Sequence, residues 1–243
     1  MRILRAGLFT VAMIGLVHSA QAGVELVVNG GFTQTSLATS NSKMTTTDVT
    51  GWSTTGYNFV FFSASAATSP VGTLSLWGGN GFIDSPDGGN FIGADGAYQV
   101  GAITQTINGL TVGQSYALSF DWGGAQQNGF TGVTTEQWAV SLGGQTDYTP
   151  VLTDPSHGFT GWTTTTFDFV ATNASEVLSF LAIGTPDGEP PFSLLDGVSL
   201  QAVPEPSSWI FLVGVALLAT IGFGRRGGLR LRSAVASGSE SIV

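Results

Sequence analysis

Between residues 23 and 202 apolar and polar residues alternate with a period of two, which sends successive side chains to opposite faces of an extended chain. Ser115 to Trp122 (SYALSFDW) places Tyr116, Leu118, Phe120 and Trp122 on one face. Glu136 to Leu142 (EQWAVSL) directs Trp138, Val140 and Leu142 inward in the same way. Ala97 to Ile107 (AYQVGAITQTI) runs into the turn pair Asn108-Gly109, and Trp162–Val170, Val177–Ile183 and Phe192–Leu200 complete the series. No stretch here keeps a 3.6-residue amphipathic spacing over ten or more residues. Thr33 to Thr50, Ala64 to Val71 (ASAATSPV) and Asp84 to Asn90 (DSPDGGN) read as loops. Strands spaced by roughly 10 to 20 residues and joined by Gly and Asn turns predict an all-β fold. The expected architecture is an antiparallel jelly-roll-like β-sandwich in one domain, residues 23–202. No fixed-period repeat is present, which excludes a solenoid.

The two ends depart from this pattern. Arg2 and Arg5 precede an apolar run from Ala6 to Val17, followed by Ala20-Gln21-Ala22. A basic start, a short apolar run and small residues flanking a cut define a secretory signal, so residues 1–22 are read as a signal peptide. Cleavage is expected after Ala22, with Ala20 at the −3 position, after passage through the Sec translocon. A second apolar run, Trp209 to Phe223, is followed by Arg225, Arg226, Arg230 and Arg232. It reads as one C-terminal transmembrane helix, residues 209–224, with Trp209 at one interface. The positive-inside rule puts the arginines in the cytoplasm and the β-rich body outside. Residues 233–243 are expected to form a disordered extension.

Charge and cysteine content narrow the partners. Residues 23–203 hold fourteen Asp and Glu but one Lys or Arg, Lys43. Such a surface repels nucleic acid, whose binding requires cationic side chains to displace counterions. Neutral glycans and divalent cations remain suitable partners. The chain has no cysteine, so thiol chemistry is excluded and the body relies on packing, alone or with a metal.

The sequence carries no catalytic signature. His157 is the single histidine of the body, in the turn-like DPSHGF. There is no nucleophile elbow, zinc-protease helix or phosphate loop, so the chain is read as not an enzyme. Asp84 and Asp87, and Asp187 and Glu189, lie in Asp-Gly turn contexts and are turn chemistry before they are ligands. Trp122 and Trp138 fall in phase with apolar neighbours and are expected in the core. Trp52 and Trp77, flanked by Gly and Ser, are the candidates for stacking on a sugar. The threonine runs Thr45–Thr47 and Thr163–Thr166 lack the repeated flat array that ice binding requires.

VPEPSSW (Val203 to Trp209), the apolar run and the Arg225-Arg226 pair together resemble the PEP-CTERM sorting tail, also called an ice-binding protein C-terminal domain. The resemblance assigns residues 203–232 to a sorting tail. It implies an exosortase as partner, with Pro204, Glu205, Pro206, Arg225 and Arg226 as the sorting signal. ELVVNGGF (Glu25 to Phe32), GNFIGADG (Gly89 to Gly96), ITQTINGLTVGQSYALSFDW (Ile103 to Trp122) and LLDGVSL (Leu194 to Leu200) resemble galactose-binding-like jelly rolls. That resemblance implies a structural calcium ion between the end of the first strand and the last strand. Asp196 matches the last-strand ligand, whereas Thr33 stands where the first strand usually supplies Glu. The expected function is that of a non-catalytic, exosortase-sorted protein. It is anchored through its C-terminal helix, then placed at the surface or outside the cell, and is linked to exopolysaccharide or biofilm. A carbohydrate-binding module is the alternative, and a polysaccharide-active hydrolase the third reading.

Overall fold

The computed structural model describes residues 23–79 and 81–204. The signal peptide with Ala20 and Ala22, the sorting residues Glu205, Pro206, Arg225 and Arg226, the helix 209–224 and the extension 233–243 lie outside the described residues. Among the described residues no helix is long and apolar enough to cross a membrane.

The chain runs through β1 (Ser42–Lys43), β2 (Ser53–Thr54), β3 (Asn58–Phe61), a one-turn helix α1 (Ala64–Ala67) and β4 (Phe91–Asp95). It continues through β5 (Ile103–Asn108), β6 (Ser115–Gln126), β7 (Thr134–Leu142), β8 (Gln145–Tyr148), β9 (Leu152–Asp154), β10 (Thr163–Val170), β11 (Ser175–Thr185) and β12 (Pro191–Ala202). One six-stranded sheet has the order β1-β3-β4-β12-β6-β10; the other is β2-β5-β11-β7-β8, with β9 also on β7. Every pairing is antiparallel. The all-β sandwich expected from the alternation is therefore the fold.

Period-two burial explains most of it. On β7 the buried positions are Thr134, Glu136, Trp138, Val140 and Leu142, and their neighbours are half-exposed. Leu178, Phe180 and Ala182 of β11 extend this inner face beside β7, and Tyr116, Leu118, Phe120 and Trp122 of β6 in the other sheet supply the facing surface. Phe180 sits at the centre, with ring centroids 5.1 Å from Phe120, 5.9 Å from Trp138 and 6.2 Å from Trp52. The first two contacts are edge-to-face, the arrangement that the ring quadrupole favours. Burying an indole leaves an N–H donor to satisfy. Trp138 Nε1 donates to the Leu194 carbonyl at 3.0 Å and Trp122 Nε1 to Thr165 Oγ1 at 2.9 Å.

Three expectations are corrected. The predicted first strand, Glu25 to Phe32, makes no ladder, because Asn29 and Phe32 adopt positive φ. It is tacked alongside β12 instead: Leu26 N–H donates to Leu200 O, Val198 N–H to Gly30 O, and the Glu25 carboxylate accepts from Leu200 N–H. The strand expected from Ala97 begins only at Ile103, because Asp95 Oδ1 accepts from the N–H groups of Ala97 and Tyr98 and bends the chain into a turn. The loop at Ala64 contains α1, whose first turn is capped by the Ser63 hydroxyl. In addition, β12 carries an irregularity between Asp196 and Ser199, where Gly197 has φ +58°, a conformation that a Cβ strains.

Without a cysteine no disulfide ties the sheets, and the contact of Phe180 on β11 with Phe120 on β6 joins them. Phe180→Ala is expected to lower unfolding stability by roughly 3–5 kcal/mol, a large share of the ~5–15 kcal/mol of a typical domain. Urea denaturation followed by tryptophan fluorescence reads this, and a loss below about 1 kcal/mol would show that the rings are not packed as described.

Candidate functional site

The three residues nominated for ligand or metal binding, Trp52, Trp77 and Asp196, and the sorting residue Pro204 come to different ends. Trp52 is 2% exposed. Its rings pack between Phe32 and Phe180 and its Nε1 donates to the Asn29 carbonyl at 3.0 Å. The expectation that Trp52 offers an open face near a loop is thus corrected: the Gly-Trp-Ser context is a turn that folds the indole inward. Trp77 is half-buried, with its ring against His157 at a centroid distance of 4.0 Å and a tilt of 36°, and its Nε1 donating to Phe130 O at 2.9 Å. Pro204 is the last described residue and is exposed. Asp196 lies on β12 beside the bulge and is fully buried.

Around Asp196 the chain gathers oxygen atoms. The Ser85 hydroxyl donates to Asp196 Oδ2, and Oδ1 is buried with no hydrogen-bond partner. A Cβ on Gly31 would stand 2.6 Å from Asp87 Oδ2 and 3.9 Å from Asp196 Oδ1; one on Gly197 would stand 3.0 Å from Asp121 Oδ2. Gly31 and Gly197 therefore leave room into which three carboxylates point. Burial pushes the Asp196 carboxyl up to about 7; the Ser85 and Gly197 bonds oppose this, while the Asp87 and Asp121 charges add to it. Thr33, at the position where the resemblance expects Glu, is exposed, and Asp87 from the 84–90 loop comes in its place. Among the described residues no group of three or more His, Asp or Glu side chains closes into a ready-made metal cage. A cation here would need carbonyl or water oxygens as well, as hard cations accept. Asp84, by contrast, is used structurally, accepting from Ala64 N–H at the start of α1.

A second site was not named from the sequence. A cavity of about 250 Å³ is lined by Tyr57, Asp95, Tyr98, Gln127, Phe130 and Asp187. The Tyr57 and Tyr98 rings meet nearly at right angles, 87° apart with centroids at 5.3 Å. Phe59 abuts Tyr57 at 4.6 Å, and Lys43 Nζ lies 5.3 Å above the Tyr57 ring. Tyr98 is 51% exposed and forms the open wall. The Asp95 turn fixes Tyr98 through its own N–H. Burial raises the Asp95 carboxyl above its ordinary range; the Ala97 and Tyr98 N–H bonds oppose this and the Asp187 charge adds to it. The Tyr57 hydroxyl is also raised, by burial first and then by Tyr98 and Asp95. The available signal was Asp95-Gly96-Ala97-Tyr98, where an Asp-Gly turn presents an aromatic residue. Asp187, expected in a turn, does line this cavity.

The arrangement offers one exposed aromatic face, a second ring across it and polar atoms at the rim. It can stack on an apolar ring face and accept hydrogen bonds from hydroxyl groups. Its volume lies just below the ~300–1,000 Å³ common for ligand pockets, which suits one monosaccharide-sized unit.

Among solved structures the chain is similar to TmCBM61, determined in complex with β-1,4-galactotriose, at 13% identity and a TM-score of 0.42 over 74% of this chain and 99% of that one. It is also similar to the CBM22-1 xylan-binding domain from Paenibacillus barcinonensis Xyn10C, at 15% identity and a TM-score of 0.37 over 76% and 98% of the two chains. A third is the C-terminal CBM6 of LamC from Zobellia galactanivorans, at 12% identity and a TM-score of 0.32 over 59% and 98%. No curated protein matches the chain. Residues 202–226 match the PEP-CTERM protein-sorting motif, so the chain carries the signal of an exosortase-sorted surface protein on a β-sandwich body.

Proposed function

We propose that the body is a non-catalytic glycan-binding module, displayed at the cell surface by the sorting motif, and that it holds a neutral sugar in the Tyr57–Tyr98 cavity. The single observation that carries this reading is the pair of perpendicular tyrosines, one of them half-exposed, beside Asp95, Asp187 and Gln127. Sugar C–H faces pack on aromatic rings, and carboxylate and amide oxygens accept from hydroxyl groups. Two acids lining the cavity favour a neutral glycan over a uronic acid, in keeping with the fourteen acids of the body. Asp95 spends one oxygen on two backbone N–H groups, which makes it a positioning residue for Tyr98 and not a catalytic acid. Binding of exopolysaccharide at the surface is the role this chemistry serves.

The same body is read as holding a structural calcium ion at Asp196, with Asp87 and Asp121 at its margin. The unpartnered, buried Asp196 Oδ1 supports this reading. Asp196 would be the ligand, and the ion would neutralise a carboxylate where the tacked first segment meets β12.

Two measurements test these readings. On an array of neutral glycans the full chain should bind, and Tyr98→Ala should weaken binding roughly tenfold or more, the equivalent of about 1.4 kcal/mol, without changing the melting temperature by more than a few degrees. Binding that survives Tyr98→Ala, or turnover of a polysaccharide, would contradict the module. For Asp196, the folded carboxyl is held at about 7, above its ordinary 3.8. The resulting stabilisation is complete below the lower value and lost as pH rises through the upper one. Melting of the chelator-treated chain should therefore fall from about pH 5 to about pH 8. Calcium should restore it at the higher pH, and Asp196→Asn should shrink both effects.

A further inference from the structure

A pair of acids in the core lies apart from both places. Glu136 of β7 and Asp154 of β9 are each 0% exposed. The register sets Thr134 opposite Asp154 and Glu136 opposite Leu152. Glu136 and Asp154 are therefore diagonal neighbours across one antiparallel pair, within reach on the same inward face. Thr134 Oγ1 donates to Glu136 Oε1 at 2.5 Å. The other three carboxylate oxygens, Glu136 Oε2 and both oxygens of Asp154, are buried and have no hydrogen-bond partner. An ionised carboxylate buried without a partner costs several kcal/mol, so something must neutralise this pair. The single Lys or Arg of residues 23–203 is Lys43, and it is engaged at the Tyr57 ring.

The surrounding backbone is cut back to make room. A Cβ on Gly124 of β6 would stand 2.6 Å from Glu136 Oε2. A Cβ on Gly158 would stand 2.3 Å from Asp154 Oδ1 and 2.5 Å from the Pro155 carbonyl oxygen. Gly124 is tied to the segment that carries Gly158, since its N–H donates to Thr160 Oγ1 and its carbonyl accepts from Thr160 N–H. Two glycines on segments bonded to each other thus let carboxylate and carbonyl oxygens lie directly against the backbone here. A proton shared between the two acids would engage two of the three orphaned oxygens. A hard cation would engage all three and take further oxygen from Thr134 and Pro155, toward the six to eight ligands that calcium prefers.

We propose that Glu136 and Asp154 bind a divalent cation of calcium's size and hardness, at a site separate from Asp196, where it pins β9 and the 155–160 segment onto β6 and β7. The ion neutralises the pair, and its loss leaves two acids in the core that must take up protons or push the strands apart.

The test uses the full chain, purified in detergent and stripped with chelator, and counts bound calcium by equilibrium dialysis alongside melting temperature. Glu136→Gln and Asp154→Asn keep the shapes and remove the charges. Each is expected to bind one calcium ion fewer than the parent, to melt higher than the parent in chelator, and to lose the parent's calcium-induced rise at this site. Asp196→Asn should retain this ion. Gly124→Ala, which fills the space beside Glu136, should weaken its binding at least tenfold, and it serves as a second probe if either neutral variant fails to fold. An unchanged calcium count in folded Asp154→Asn and Glu136→Gln would overturn the site. So would a parent that binds no ion at millimolar calcium and melts highest in acid, which would make the two residues a proton-sharing pair.

Discussion

The contact of Phe180 with Trp52, Phe120 and Trp138 is what the rest of the body depends on. With no disulfide available, the two sheets stay together because their inner faces exclude water over these rings. Loops can then be long and polar at little cost, since closure entropy grows slowly with length. The tyrosine cavity is built where such loops meet: Tyr98 from the turn after β4, Gln127 and Phe130 from the segment after β6, and Asp187 from the one before β12. A rigid sandwich fixes where those segments start, and one carboxylate, Asp95, fixes the direction of the turn.

Scarcity of positive charge is the second governing feature. Among the described residues six acids are buried: Asp95, Asp121, Glu136, Asp154, Glu176 and Asp196. Glu176 shows how such a group is accommodated without a cation. Burial pushes its pKa up, yet bonds from the Thr172 hydroxyl and the N–H groups of Thr172 and Asn173 outweigh this and leave it lowered. Asp95 reaches a partial solution with two backbone donors. Glu136, Asp154 and Asp196 have fewer donors than oxygens, and burial holds them at about 8, 7 and 7. Hydrogen bonding grades these acids from structural to ligand-seeking.

Alternation made the sandwich legible: β6, β7, β10, β11 and β12 all lie where the period-two runs fall. Trp122 and Trp138 could be assigned to the core because they share a phase with apolar neighbours. Trp52 defeated the same reasoning, because its neighbours are Gly and Ser and nothing local reveals that its turn folds inward. The segment at Glu25 looks like a strand by composition, but positive φ at Asn29 and Phe32 breaks the ladder. Glu136 sits in phase with Trp138, Val140 and Leu142, so its burial was written in the alternation. What no period could show is that β9, sixteen residues beyond Trp138 at Asp154, folds back to bring a second acid beside it. The Tyr57–Tyr98 cavity was hidden for the same reason, since its walls come from four separated segments.

Native-state hydrogen exchange measures the central claim, that facing aromatic sides weld two sheets into one cooperative unit. Amides of β6 and β12 in one sheet and of β7 and β11 in the other should exchange last and with a common opening free energy, while the edge strands β8 and β10 exchange earlier. Exchange of one sheet well before the other, with tryptophan fluorescence still native, would contradict the account.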